Sequence, residues 1–225
     1  VANIIEVLER FAYYGIYMSF GIYMQQLGFS KGDLGIVQSI FLLLSYLTPL
    51  FSGTIADKYG FKKVLIVSYI AYLPSILLLI ITETFSGIAL TMLSIGLAAG
   101  IFKPLISATV RATTDSTNKT LGFGIFYMMV NIGASLGPIV MGNLRAMSWN
   151  YVFYTAAGTI GLMLITTLLF YKEPERDIKN ESLKKKFLDI REALSDVKFL
   201  ILIILLGIFF WLPFWAFFNI LPVYI

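Results

Sequence analysis

The sequence predicts an all-α protein that crosses a lipid bilayer repeatedly, built as a six-helix bundle followed by a charged link and a seventh helix. Three observations carry this. Hydrophobic residues make up 58% of the 225 residues and charged ones only 13%, whereas a soluble domain carries about 25% charged residues. Mean hydropathy is +0.84. Apolar stretches recur at 4–27, 34–56, 62–81, 86–110, 121–144, 150–171 and 199–225, each close to the ~20 residues that span a hydrocarbon core.

The connections justify the boundaries. The first stretch ends at Gly28-Phe29-Ser30-Lys31-Gly32-Asp33 and the second at Asp57-Lys58-Tyr59-Gly60. Thr82-Glu83-Thr84 closes the third, and 113–118, rich in Thr, Asp and Asn, closes the fourth. Trp149-Asn150 separates the fifth from the sixth. All are short and made of turn formers. Pro74, Pro104, Pro138 and Pro213 predict kinks, as where helices curve around a cavity. The long connection, from Lys172 to Lys198, holds eight basic and seven acidic residues; it reads as an amphipathic or solvated surface helix with Phe187, Leu188, Ile190 and Leu194 on one side. Three regions follow: a bundle at 1–172, a charged linker at 173–198 and a seventh membrane helix at 199–225. The chain begins at Val1, and its last helix runs to Leu221-Pro222-Val223-Tyr224-Ile225 without a flank. It reads as the first half of a longer protein plus the start of the second.

Of 17 Lys and Arg, 13 fall in the second, fourth and sixth connections and two, Lys31 and Arg145, in the odd ones. The positive-inside rule then puts the even connections and the N-terminus in the cytoplasm; the membrane expected is the cytoplasmic (inner) one. The same excess accounts for a net charge of +4 without a nucleic-acid partner. With no Cys and no His, disulfides, thiolate metal sites and cysteine nucleophiles are excluded, and any proton carrier is a carboxylate or a lysine. No enzyme is predicted, since no metal-ligand or nucleophile cluster exists. Trp149, Tyr151, Tyr154, Tyr171, Trp211 and Trp215 are expected as interfacial anchors or packing residues.

Four ionisable residues lie within the predicted spans. Glu6, Glu9 and Arg10 share the first helix with Tyr13, Tyr14 and Tyr17 at spacings of three and four, forming one polar stripe. Lys103, beside Pro104, is the other in-membrane cation. A charge at that depth costs about 2.5–3.5 kcal/mol on the insertion scale and so marks function. The four formal charges sum to zero, and the expectation is that they form one network at a central cavity.

Gly53-Thr54-Ile55-Ala56-Asp57-Lys58-Tyr59-Gly60-Phe61-Lys62-Lys63 resembles the cytoplasmic signature of the major facilitator superfamily, G-x-x-x-D-x-x-G-x-K/R-K/R. Gly53 would allow close helix approach, Asp57 pair or cap at a helix end, Gly60 make the turn, and Lys62 and Lys63 anchor the cytoplasmic face. The resemblance implies a fold of two inverted three-helix repeats per half. Within that superfamily, Glu6-Val7-Leu8-Glu9-Arg10-Phe11-Ala12-Tyr13-Tyr14-Gly15 is similar to the first-helix signature of the proton-dependent oligopeptide transporters. Gly100-Ile101-Phe102-Lys103-Pro104 and Phe126-Tyr127-Met128-Met129-Val130-Asn131-Ile132-Gly133 resemble their fourth- and fifth-helix elements, and Tyr46-Leu47-Thr48-Pro49 fits as well.

That resemblance implies a proton-driven symporter of di- and tripeptides or similar small solutes, with protons as coupling ion and no cofactor. By position, Glu6, Glu9 and Arg10 would couple protons, and Lys103, Tyr14, Tyr17, Tyr46 and Asn131 would face substrate. The physical rationale is that a buried carboxylate whose cation is drawn away by a substrate carboxylate binds a proton more readily. Two positions differ from the family pattern: Tyr17 stands where an arginine is common, and Phe217-Phe218-Asn219 stand where a glutamate-glutamine pair is common. Both point to a less zwitterionic substrate. A second reading rests on Gly124, Gly133, Gly137-Pro138 and Gly142, which resemble the antiporter signature of drug exporters, with Met141 in place of a glycine. A non-transporting receptor or scaffold is the third.

Overall fold

The computed structural model describes residues 1–175 and 183–217. Six helices come first: α1 (Ala2–Gln26), α2 (Lys31–Tyr59), α3 (Phe61–Leu78), α4 (Phe85–Ala112), α5 (Lys119–Met147) and α6 (Trp149–Phe170). Then follow α7 (Leu183–Ser195) and α8 (Val197–Leu206), the latter continuing through a wider turn at Gly207–Trp211. No strand occurs among the described residues. The chain divides into two compact units, Val1–Ile178 and Lys179–Ile225.

Five helices of the first unit, α2 to α6, and the stretch Val197–Phe217 of the second are long and apolar enough to cross a membrane. At 1.5 Å per residue α1 is equally long, but its charged stripe interrupts its apolar run. Local chemistry sets the ends. Ser30 and Asp33 form a reciprocal capping box at the start of α2. Thr84 accepts from the Gly87 N–H at the start of α4. Between α4 and α5, the Thr117 hydroxyl and the Thr117 and Asn118 N–H groups donate to Asp115 and hold its carboxyl below the usual range.

The packing has internal symmetry. α1 runs along α5 and also meets α6; α4 runs along α2 and also meets α3; α3 packs on α6. Exchanging α1 with α4, α2 with α5 and α3 with α6 maps this pattern onto itself. α1 and α4 run in opposite directions, so the operation relates two inverted three-helix repeats. Both equivalent seams use glycines four residues apart. A Cβ on Gly96 would lie 3.0 Å from the Phe41 carbonyl oxygen, and one on Gly100 would lie 2.7 Å from Thr48 Cβ, on the α4–α2 seam. A Cβ on Gly133 would lie 2.5 Å from the Val7 carbonyl oxygen, and one on Gly137 would meet the Phe11 carbonyl, on the α5–α1 seam. Lipid supplies no hydrophobic drive between helices, so such backbone approach supplies dispersion instead. Ser68 Oγ adds a 2.7 Å hydrogen bond to the Ala98 carbonyl, joining α3 to α4.

In the second unit, α7 is the helix expected in the charged link, and Phe187, Leu188 and Leu194 are exposed along it. The side chain of Ile190 and the residues Phe218, Asn219 and 221–225 lie outside the described set. Pro213 leaves its mark one turn earlier: the Leu212 N–H reaches the Gly207 carbonyl, five residues back. The wider turn makes room for a ring that would collide with the carbonyl four positions before it.

Candidate functional site: a buried charge cluster open on one side

The stripe on α1 turns inward. Glu6 is 1%, Glu9 0% and Arg10 8% exposed. Arg10 Nε donates to Glu6 Oε1 at 2.6 Å, one helical turn back, and lies 3.3 Å from Glu9 Oε2. One guanidinium thus faces both carboxylates. The i, i+4 spacing of Glu6 and Arg10 sets the first contact on one helix face, and the length of the arginine side chain brings its Nε to the neighbouring Glu9 as well. Close approach of α5 seals the cluster from behind, with Gly133 set against Arg10 Cβ and the Phe11 N–H.

Lys103 joins by another route. Its ammonium sits 4.7 Å from the centre of the Tyr13 ring and 4.9 Å from that of Tyr46. Among the described residues it has no carboxylate within 4.0 Å. Arg10 approaches the same Tyr13 ring at 5.9 Å. The Tyr13 ring is therefore common to both cations, and Lys103 reaches the cluster through it rather than through a carboxylate. Cation–π contact offsets part of the cost of an ammonium at this depth.

The other anticipated residues divide. Tyr14 is half-buried, edge-on to Tyr13 at 5.2 Å. Tyr46 is 52% exposed and forms the open wall beside Lys103. Tyr17, expected to face substrate, is instead 2% exposed, stacked on Tyr13 and Phe41 with centroids 5.9 and 5.5 Å away. The flat faces of three rings at one helix seam pull it into the core. Asn131 is exposed on α5, donates to the Tyr127 carbonyl at 2.9 Å, and lines a shallow groove with Met128, Ile132, Ser135 and Leu136. Gly133 of the same helix meets α1, so Asn131 belongs to a different side of α5 from the cluster.

The turn between α2 and α3 holds the second set. Gly60 has φ +98° and is at once the end of α2 and the start of α3. Gly53 and Asp57 are half-buried on α2, and Lys63 is exposed. Lys62 does more than anchor a surface: its Nζ donates to the Leu168 carbonyl at 3.0 Å, near the end of α6. In return Glu173, just past α6, accepts from the Phe61 and Lys62 N–H groups at 2.7 and 2.8 Å. A base caps one helix's C-terminus and an acid caps the other's N-terminus, each placed as the helix dipole favours.

Glu173 was not anticipated, because it reads as one of many charges in the linker. A signal was present, since Pro174 ends helical structure at the residue before it and leaves Glu173 extended and able to reach across. Tyr171 takes the second of its two expected roles: it packs between helices, 3% exposed, and shares a 2.5 Å hydrogen bond with the Thr109 hydroxyl of α4.

The model of the Major Facilitator Superfamily matches residues 3–225. The chain belongs to the Major Facilitator Superfamily. It is an integral, multi-pass membrane protein of a family of transporters. Quinolone resistance protein NorA of Staphylococcus aureus is 28% identical over 156 residues, 69% of this chain and 40% of NorA. A crystal structure of a peptide transporter in complex with sulfate superposes with a TM-score of 0.74 at 24% identity, over 92% of this chain and 45% of that one, which shows the fold. A transporter of the same peptide-transporter family, crystallised with a thioalcohol-conjugated peptide, gives 0.68 at 26% identity, over 91% of this chain and 45% of that one. The chain thus spans less than half the length of these superfamily relatives.

Proposed function

We propose that this chain forms the N-terminal half of a secondary transporter that carries short peptides, or similar small solutes bearing a carboxylate, together with protons by alternating access. One observation supports this most: Arg10 is shared between the fully buried Glu6 and Glu9, while Lys103 rests on the rings of Tyr13 and the half-exposed Tyr46 with no carboxylate within 4.0 Å among the described residues. A substrate carboxylate arriving at Lys103 supplies the missing counter-charge. Its negative charge raises the local preference for a proton on the glutamates, so substrate and proton bind cooperatively. Neutralising the cluster weakens the hold of Arg10 and frees α1 to rearrange against α5. In this reading the Gly60 turn, locked by Lys62 and Glu173, lies on the cytoplasmic side, as the Lys and Arg excess requires.

The test uses the full-length protein in liposomes with an inside-negative potential and a trapped pH dye. Addition of dipeptide outside is expected to acidify the lumen, and Glu9→Gln or Lys103→Ala to abolish that. Lumenal acidification that survives Glu9→Gln would sink the coupling role.

Similarity to NorA favours a second reading, proton-driven export of amphipathic compounds. The glycine pattern gives it less support than its spacing promised. Gly133 and Gly137 are spent on helix contact with α1, whereas a Cβ on Gly124 or Gly142 would meet nothing within 4 Å. Efflux of a quinolone against its gradient, with no response to any di- or tripeptide, would decide for export.

A further inference from the structure

Polar atoms buried without a hydrogen-bond partner cost about 1–3 kcal/mol each, and native proteins satisfy them with internal water. This bundle concentrates them. Asn3 Oδ1, Glu6 Oε2, both Glu9 oxygens and the hydroxyls of Tyr13, Tyr69, Tyr72 and Thr167 are all buried and unpartnered. They lie on α1, α3 and α6, and α6 packs against both of the others. Tyr69 of α3 and Thr167 of α6 are fully buried, and Thr167 lies one turn before Tyr171, whose N–H donates to its carbonyl. Tyr171 is hydrogen-bonded to Thr109. Thr109 and Tyr171 in turn line a hollow of about 490 Å³ at the Gly60 end of the bundle, together with Asn3, Thr113 and Lys172.

We propose that Tyr69, Thr167, Tyr171 and Thr109, bridged by water, form a proton conduit from Glu6 and Glu9 to the Gly60 end of the bundle. The proposal rests on the proton-coupling role given to the two glutamates above. Each hydroxyl oxygen accepts a proton from one neighbour and releases its own to the next, so every residue ends as it began and one proton has moved. Such a route is needed because Glu9 has no exposed surface of its own. Protons and substrate would then reach the cluster from different directions. That separation prevents a bound substrate from blocking proton release.

The test needs no substrate. Full-length protein in lipid nanodiscs is taken through a rapid acid jump while the infrared carboxyl band that Glu9→Gln removes is followed in time. Tyr69→Phe and Thr167→Val, each losing one hydroxyl, are expected to slow its appearance about tenfold, the size of barrier one hydrogen bond supplies. The final amplitude is expected to be unchanged, which also shows that the variants fold. Thr167→Ser keeps the hydroxyl and is expected to retain the wild-type rate. A band that rises at the wild-type rate in both variants overturns the conduit alone. A wild-type protein with no such band overturns the conduit together with the coupling role on which it rests.

Discussion

Gly133→Ala tests whether the fifth helix's glycines exist for packing against the charge cluster. A Cβ there would lie 2.5 Å from the Val7 carbonyl oxygen, 2.7 Å from Arg10 Cβ and 3.0 Å from the Phe11 N–H. Ordinary contact begins near 3.4 Å, so α5 must withdraw from α1 by about 0.9 Å, and two of the three opposing atoms are backbone that cannot rotate away. Overpacking of this kind costs roughly 1–3 kcal/mol. Gly142→Ala is the internal control: a Cβ there meets nothing, and removing a helical glycine gains up to about 1 kcal/mol. The two single-methyl changes on one helix are thus separated by about 2–3 kcal/mol, which at 2–4 °C per kcal/mol is roughly 5–10 °C in melting temperature. Tryptophan-fluorescence melts of the purified full-length protein read this directly. Because Arg10 is among the displaced atoms, Gly133→Ala is also expected to lose coupled transport and Gly142→Ala to keep it. Equal melting temperatures and equal transport for the two would refute the packing assignment and return the glycines to an export signature.

Three further changes probe separate parts of the structure. Arg10→Lys keeps the charge but not the Nε donor that meets both glutamates, so proton-driven uptake in liposomes is expected to fall at least about tenfold, the value of one charge-assisted hydrogen bond. Glu173→Gln removes the negative charge from the start of α3 while keeping an acceptor, and a loss of about 0.5–1 kcal/mol is expected in thermal melts, shrinking in high salt. Gly60→Ala forces a side chain onto φ +98°; a cost of about 1–2 kcal/mol is expected there, against a gain of up to about 1 kcal/mol for Gly35→Ala within α2, where a Cβ has open space.

Helix count, order and approximate ends were legible because lipid leaves the backbone few choices, and each span must therefore show as an apolar run. The polar stripe was legible for the same reason. Its pairing was less so. Spacing brings Arg10 to Glu6, but the placing of Lys103 on the rings of Tyr13 and Tyr46 depends on how α2 and α4 pack, which no local pattern encodes. Tyr17 shows the same limit, since a tyrosine on a polar stripe looks exposed until Phe41 arrives from α2 to cover it. Glu173 and Tyr171 were hidden because their partners, Phe61 and Thr109, are distant in sequence and ordinary in type. Contacts that need two helices to be placed are the ones a single chain pattern conceals.

The sign of the charge facing the open side bears on the choice between symport and export. At an effective dielectric constant near 20, a unit charge 4 Å from Lys103 gains or loses about 4 kcal/mol, before desolvation is counted. A carboxylate therefore gains, and a cationic drug loses, on the order of a thousandfold in affinity at that position. When Glu6, Glu9, Arg10 and Lys103 are all ionised the cluster is neutral as a whole, and a proton on either glutamate makes it positive. Proton loading therefore strengthens the hold on an anion and weakens the hold on a cation. A symporter of carboxylate-bearing solutes needs that order of events; an antiporter of cations needs an ionised carboxylate near the solute with no lysine beside it. Here Lys103 lies against the half-exposed Tyr46 while Glu6 and Glu9 are fully buried, which favours the proposed symport.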